Sequence, residues 1–246
     1  MSKILVFTDN DRVYSRFKEL VRSSADLGDH AFHYAYSPGN ELFSSKFDRA
    51  EGPGPVRVKE QMDDLIGKYD LIISAHCKQF FPKRLVESVR CINIHPGFNP
   101  FNRGWYPQVF SIINGLPCGA TIHEMDDRLD HGPVICQKQV PVNSWDTSST
   151  LYERILEAEF ELLSKHLDAI IAGDYRTTVM EEGNVNSIAD FKGLCRLELE
   201  HCGTLKEHID LLRALSHEPY HNAYFIDSEG NEVFISVRMT RSGHSQ

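Results

Sequence analysis

Asn93 and His95 sit two apart in the apolar run CINIH and are followed at once by Pro96 and Gly97. In a strand, residues i and i+2 project to one face, and the proline and glycine then forbid the strand from continuing. Both side chains would stand together at a strand's carboxyl end, which in an open α/β sheet is where ligands bind. An imidazole there can move a proton near neutral pH, and a carboxamide can donate hydrogen bonds to a developing oxyanion without joining in proton transfer. The combination suits acyl transfer. Such a histidine needs an orienting carboxylate, and DDRLDHG offers Asp126, Asp127 and Asp130. Asp130, wedged between Leu129 and the HGP turn, is the best placed, because restricted water would strengthen its hold on the imidazole. Spacing alone leaves a second reading open, in which Asp130 caps a turn and His95 is a satisfied core residue.

The elements that must position these residues follow from hydrophobic period. KILVF (3–7) reads as a buried strand, DRVYSRFKELVRSS as an amphipathic helix and HAFHYAYS (30–37) as a second strand. The stretch 38–55, with three prolines and three glycines, reads as a loop. VKEQMDDLIGKY then suggests a helix, DLIISAH (70–76) a buried strand, PKRLVESV (82–89) a helix opening on proline, and CINIH the next strand. PQVFSIING is a short helix closed by Gly115, and GATIHEM and VICQKQVPV are two more strands joined by the acidic stretch. The longest helix follows, with Thr150 and Glu153 at capping-box spacing, an apolar stripe through Leu151, Ile155, Leu162 and Ile170, and Gly173 as its stop. This alternation predicts an α/β fold, a Rossmann-like, mostly parallel sheet flanked by helices. Beyond residue 185 the pattern changes to two helices and the hairpin AYFIDSEGNEVFISV with SEGN as its turn. The expected division is a catalytic domain over 1–185 and a small C-terminal subdomain over 186–246.

Composition narrows the function. The chain has 246 residues, 41% hydrophobic and 25% charged, with a formal charge of -9. Such a chain has no global attraction to nucleic acid or to an anionic membrane. The N-terminus has too short an apolar run for a signal peptide or a membrane span, which points to the cytoplasm. The six cysteines never form CxxC and are expected to be reduced thiols. The first strand is followed by FTDNDR rather than GxGxxG, and neither GxxxxGK[ST] nor HExxH occurs, so nicotinamide, phosphate-loop and zincin chemistry are unsupported and no metal is expected.

NIHPGFNPFNRG together with GATIHEMDDRLDHGPVI, in which Asp130 follows His95 by 35 positions (95 to 130), resembles the folate-dependent formyltransferases. The resemblance covers roughly 65–145. It implies 10-formyltetrahydrofolate as formyl donor and Asn93, His95 and Asp130 as the catalytic trio, with Asn93 and a protonated His95 stabilising the oxyanion. His95 would also accept the amine's proton and help to deliver one to the leaving folate nitrogen, with Asp130 fixing the imidazole's tautomer and favouring its charged form. Within the family, the stretch from PFNRGWYP to DHG looks most like sugar N-formyltransferases acting on dTDP-linked amino deoxysugars, especially a 4-amino-4,6-dideoxyglucose used in surface polysaccharides. The short C-terminal region departs from the tRNA formyltransferases. Rival acceptors are a dTDP-3-amino sugar, glycinamide ribonucleotide, or water, as in a formyltetrahydrofolate deformylase. A non-catalytic folate- or nucleotide-binding protein would not need an intact trio.

An anionic donor and a pyrophosphate acceptor require local cations in an acidic chain. Lys78, after DLIISAH, and Arg103, after the NIH loop, are the first candidates, with Lys192 in DFKGLCRL third; each is equally readable as a surface cation. Gly104, Trp105 and Tyr106 border the same loop, where the aromatic pair can face a sugar or base but core packing leads. Tyr220 and Tyr224 are candidates for stacking on thymine, with the same proviso. Met125, Asp126, Asp127, Arg128, Leu129 and Asp130 are the expected wall for the pterin. His123 reads as structural or supporting, His76 is undecided, and the C-terminal hairpin suggests a homodimer.

Overall fold

The structure is a computed structural model that describes residues 1–24, 27–47 and 52–242. The first part of the chain alternates strand and helix: β1 (Lys3–Phe7), α1 (Asp11–Ser23), β2 (Ala31–Tyr36), α2 (Glu41–Ser44), β3 (Gly54–Pro55), α3 (Met62–Lys68), β4 (Leu71–Ala75), α4 (Lys83–Ser88) and β5 (Arg90–His95). Then come β6 (Arg103–Gly104), α5 (Pro107–Asn114), β7 (Gly119–Glu124), β8 (Val134–Gln139) and α6 (Ser148–Ala172). The remainder holds β9 (Val185–Asn186), α7 (Ile188–Cys195), α8 (Leu205–Leu215), β10 (Ser216–His217), β11 (Tyr220–His221), β12 (Ala223–Ile226) and β13 (Glu232–Ile235).

Seven strands form one sheet in the order β3-β2-β1-β4-β5-β7-β8. β1 runs parallel to β2 and β4, β4 runs parallel to β5, and β7 runs antiparallel to β5. Every residue of β4 is buried, as the continuous apolar run of a strand covered on both faces requires. This is the expected α/β architecture.

Several elements depart from the expectation. The stretch 38–55 is not all loop: α2 forms where the Asn40 side chain accepts from the Phe43 amide at 3.3 Å, and β3 adds an edge strand beside β2. A single turn of helix is too short to show a period, and an edge position tolerates Pro55. Residues 48–51 lie outside the described residues. α3 begins only at Met62, because Arg57 N–H donates to the Gln61 side chain at 2.8 Å and closes a turn first. α6 begins at Ser148, so the box expected at Thr150 and Glu153 lies three residues upstream. There the Thr147 amide donates to Thr150 Oγ1 at 3.0 Å and the Thr150 amide to Thr147 Oγ1 at 3.4 Å. Leu151, Ile155, Leu162 and Ile170 are buried as the stripe requires, and Gly173 closes the helix at φ 75°.

By compactness the chain forms two units, each threaded from separate segments. The first comprises Met1–His95, Thr121–Lys138 and Glu159–Met180 and contains most of the sheet. The second comprises Pro96–Ala120, Gln139–Ala158 and Glu181–Gln246. In it α5 packs on α8, the pairs β10–β11 and β12–β13 are antiparallel, and Arg213 of α8 donates to the Asn143 and Asp146 carbonyls at 3.1 and 2.8 Å. No helix among the described residues is long and apolar enough to cross a membrane, and the six cysteines are free thiols.

Candidate active site

β5 carries Asn93 and His95 on one face, with His123 of β7 opposite Asn93 and Thr121 opposite His95. The carboxylate arrives from the loop after β7. Met125 N–H donates to the Cys91 carbonyl at 2.8 Å and Glu124 N–H to the Pro133 carbonyl at 2.9 Å, so the loop leaves β7 and returns to the same place. Gly132 makes that return sterically allowed, since a Cβ there would stand 1.9 Å from the Glu124 carbonyl oxygen. Asp130, held in the left-handed region at φ 47°, is thereby turned onto β5. Its Oδ1 accepts from Asn93 Nδ2 at 2.8 Å and its Oδ2 lies 3.4 Å from His95 Nδ1.

His123 fixes the remaining protons. Its Nδ1 is 2.6 Å from the Glu124 carbonyl oxygen, which can only accept, so Nδ1 carries the hydrogen. Nε2 is then an acceptor, and Asn93 Nδ2 donates to it at 3.2 Å. Both N–H groups of Asn93 are therefore spent inside the cluster, on Asp130 and His123. For Asn93 to serve an oxyanion, one of those bonds must be exchanged.

His95 is 3% exposed, and its Nε2 is buried with no hydrogen-bond partner among the described residues. Burial depresses its pKa, and the attraction of Asp130, which acts the other way, does not recover it; His123 adds to the depression. Burial thus favours the uncharged ring, the form in which His95 can accept a proton. With Nδ1–H toward Asp130, Nε2 presents a lone pair, the arrangement of a general base.

A second pair abuts this cluster. His76, immediately after β4, has a left-handed backbone at φ 61°, and its Nε2 lies 2.9 Å from both carboxylate oxygens of Glu159 in α6. Glu159 is 1% exposed. Sequence reasoning left His76 undecided and passed over Glu159, although a signal was there. Glu159 falls four residues after Ile155 and four before Leu163, on the apolar stripe of α6, where a charge needs a partner.

The other expected residues divide between the units. In the first, Lys78 has an exposed side chain while its amide donates to Asp9 Oδ2 at 2.8 Å. The stretch from Met125 to Asp130 is internally tied: His131 Nδ1 donates to Asp126 Oδ2 at 2.6 Å, Arg128 donates to His131 Nε2 at 2.8 Å, and Lys83 lies 3.6 Å from Asp127. Leu129 is exposed.

In the second unit, Arg103 is buried, not a surface cation. Its Nη2 donates to Glu182 at 3.1 Å, and its Nε has no partner among the described residues. Gly104 and Trp105 are set by β9, with Trp105 N–H donating to the Asn186 carbonyl at 2.9 Å. Tyr106, at φ 52° and 38% exposed, packs its ring 4.1 Å from that of Phe191. Lys192 is exposed, Tyr220 is 64% exposed, and Tyr224 meets Phe234 at 6.0 Å between centroids. A knot of amides unnoticed in the sequence anchors this region. Buried Asn102, at φ 50°, accepts from Asn114 and Asn184 at 2.8 and 2.6 Å and donates to Ser111 Oγ at 3.0 Å. No group of three or more metal-ligating side chains occurs among the described residues.

Comparison with known proteins agrees with this geometry. Residues 3–167 match the family model described as formyl transferase, and residues 190–241 match the N-formyltransferase dimerization C-terminal domain. The chain is 42% identical over 235 residues, 95% of each sequence, to dTDP-4-amino-4,6-dideoxyglucose formyltransferase of Mycobacterium tuberculosis. Among solved structures, a 4-N formyltransferase from Francisella tularensis is 46% identical with a TM-score of 0.92, covering 98% of each chain. A sugar N-formyltransferase from a Shewanella species is 45% identical with a TM-score of 0.93, covering 98% of this chain and 99% of its own. With a family model matched over residues 3–167, a relative 42% identical along 95% of each sequence, and a fold that superposes on such enzymes over 98% of its length, the chain belongs to the formyl transferase family.

Proposed function

We propose that the protein moves a formyl group from 10-formyltetrahydrofolate to the amine of a dTDP-linked amino-dideoxyhexose, dTDP-4-amino-4,6-dideoxyglucose first among them, in the cytoplasm and for surface polysaccharide synthesis. The observation that carries the chemistry is the buried Nε2 of His95, without a hydrogen-bond partner among the described residues, on a ring held against Asp130. The similarity to the Mycobacterium enzyme along 95% of each sequence supports the acceptor.

In this reaction the neutral amine attacks the formyl carbon and a C–N bond forms. The carbonyl oxygen takes the negative charge, and His95 Nε2 accepts the proton that the amine must lose. Asn93 turns one N–H from its internal partners to the oxyanion, a donor worth about 3 kcal/mol in comparable sites. The intermediate then collapses, the bond to N10 of the folate breaks, and the proton on His95 goes to that nitrogen. Asp130 holds Nδ1–H throughout and stabilises the transient imidazolium.

The division of labour follows the sequence. Residues 1–185 carry the chemistry, Met125 to Asp130 border the pterin, and Lys78 and Lys192 are exposed cations available to the anionic ends of the substrates. Arg103, Gly104, Trp105 and Tyr106 shape the sugar side from a loop fixed by Asn102, with Tyr220 and Tyr224 toward the base. Residues 186–246 pair two copies, as the description of the matching C-terminal domain suggests.

The test is to incubate the protein with 10-formyltetrahydrofolate and a panel of dTDP- and UDP-linked 3-amino and 4-amino sugars. The expected product is the dTDP 4-amino sugar heavier by one CO. Formylation of a 3-amino or UDP-linked sugar in its place would overturn the assigned acceptor, and formate released without any acceptor would replace transfer by hydrolysis.

A further inference from the structure

The reaction requires His95, neutral at rest, to become an imidazolium inside the protein for the lifetime of the tetrahedral intermediate. Asp130 of the loop after β7 lies 3.4 Å from its ring, and the His123 ring of β7 is 6.5 Å away between centroids. His76 stands beside it, because β4 and β5 pair in parallel with Ala75 opposite Ile94. Glu159 of α6 is bound to His76, and the charges of all four act on the imidazole. His123 already engages both ring nitrogens, Nδ1 with the Glu124 carbonyl and Nε2 with Asn93. Asp130 divides its oxygens between His95 and Asn93. The remaining carboxylate is Glu159, which is 1% exposed and meets His76 Nε2 at 2.9 Å through each oxygen.

A buried ionisable pair is a poor device for stability alone, because the cost of desolvation rivals the attraction gained, and a packed apolar pair would serve the fold as well. Here the pair is kept together with a left-handed residue, His76 at φ 61°, at the sheet end where the acyl-transfer cluster sits. Backbone strain of that kind persists where the surroundings over-determine it, and it concentrates at functional sites.

We propose that Glu159 and His76 are a positioning pair for His95: the carboxylate, anchored by His76 Nε2, holds a compensating negative charge beside the imidazole while it carries the proton. The inference rests on His95 being the base of the proposed reaction. It assigns neither Glu159 nor His76 a contact with substrate. The two act in opposite senses on the imidazole, Glu159 favouring its protonated form more strongly than His76 opposes it.

The experiment follows His95 by imidazole NMR titration without substrates, its signal assigned by loss in His95→Gln, and measures kcat and KM against pH. Glu159→Gln keeps the shape and the hydrogen bond from His76 but removes the charge. The expected results are a downward shift of the His95 transition, kcat lower by about tenfold at neutral pH, and KM for both substrates changed less than twofold. Glu159→Asp, shorter but still charged, is expected to keep more activity than Glu159→Gln. A merely structural pair reverses that order, and an unmoved transition or wild-type kcat in a folded Glu159→Gln overturns the proposal.

Should Glu159→Gln fail to fold, His76→Gln reads the converse. The new amide still donates to Glu159, whose charge then acts undiluted, and the His95 transition moves up. An unmoved or lowered transition, or failure of both variants to fold, overturns the inference. The titration needs no substrate, so absence of formyl transfer by the wild type would remove the substrate assignment and leave this result readable.

Discussion

In the proposed reaction three side chains set the chemistry, and their hydrogen bonds decide what each can do. Because Nδ1 of His95 faces Asp130 at 3.4 Å, replacing the carboxylate with an amide lets the ring take the wrong tautomer. Asp130→Asn is expected to lower kcat roughly 10²- to 10⁴-fold, the range that general-base catalysis contributes, with the fold intact by circular dichroism. His95→Ala is expected to lose at least as much, and near-wild-type turnover in that variant would remove it from the mechanism. Asn93 differs because its amide braces Asp130 and His123 at 2.8 and 3.2 Å. Asn93→Ala should therefore lower kcat and also loosen His123, visible as a change in the imidazole NMR signals of that ring. Retention of the wild-type His123 signals would separate the bracing from the catalytic role.

Among the elements, the loop between β7 and β8 brings the carboxylate to β5, and its geometry depends on Gly132. A methyl group there would overlap the Glu124 carbonyl, which is backbone and cannot step aside. Gly132→Ala is expected to displace Asp130, cutting activity at least tenfold while costing about 1–3 kcal/mol of stability. Unfolding in urea alongside turnover checks both, and a fully active Gly132→Ala would refute this account of the turn. The D-x-G pattern was legible in the sequence, as were the alternation that faces Asn93 and His95 together and the ends of most strands. The true start of α6 was less so, because Thr147 and Thr150 satisfy each other without the Glu that the usual signature contains. Asn102 was invisible for a related reason. Its partners Ser111, Asn114 and Asn184 reach across as many as 82 residues, and no local period encodes such a knot.

For the molecule as a whole, the buried histidines dictate the response to acid. His95 and His217 are both depressed below 6.5, each chiefly by burial, with Asp130 and Glu153 respectively opposing. As pH falls below 6.5 the unfolded chain takes up protons at these sites while the folded chain does not, so the proton favours unfolding. Stability is unaffected by these groups at pH 7.5 and is expected to fall from about pH 6.5 downward. The melting temperature should thus be lower at pH 5.5 than at pH 7.5, and His95→Gln should flatten that dependence. A melting temperature that rises on acidification would contradict the burial of both rings. What the sequence by itself determined was the sheet, the family and the placing of Asn93 and His95 on one strand face ahead of Asp130, because strand period, chain-breaking residues and a spaced motif are local or linear signals. Only the tertiary structure decided that burial lowers the pKa of His95, that Asn93 braces Asp130 and His123, that Arg103 is buried and that Glu159 meets His76. Protonation and partnership are sums over charges and burial contributed by β4, β5, β7 and α6, which meet in space and are far apart along the chain.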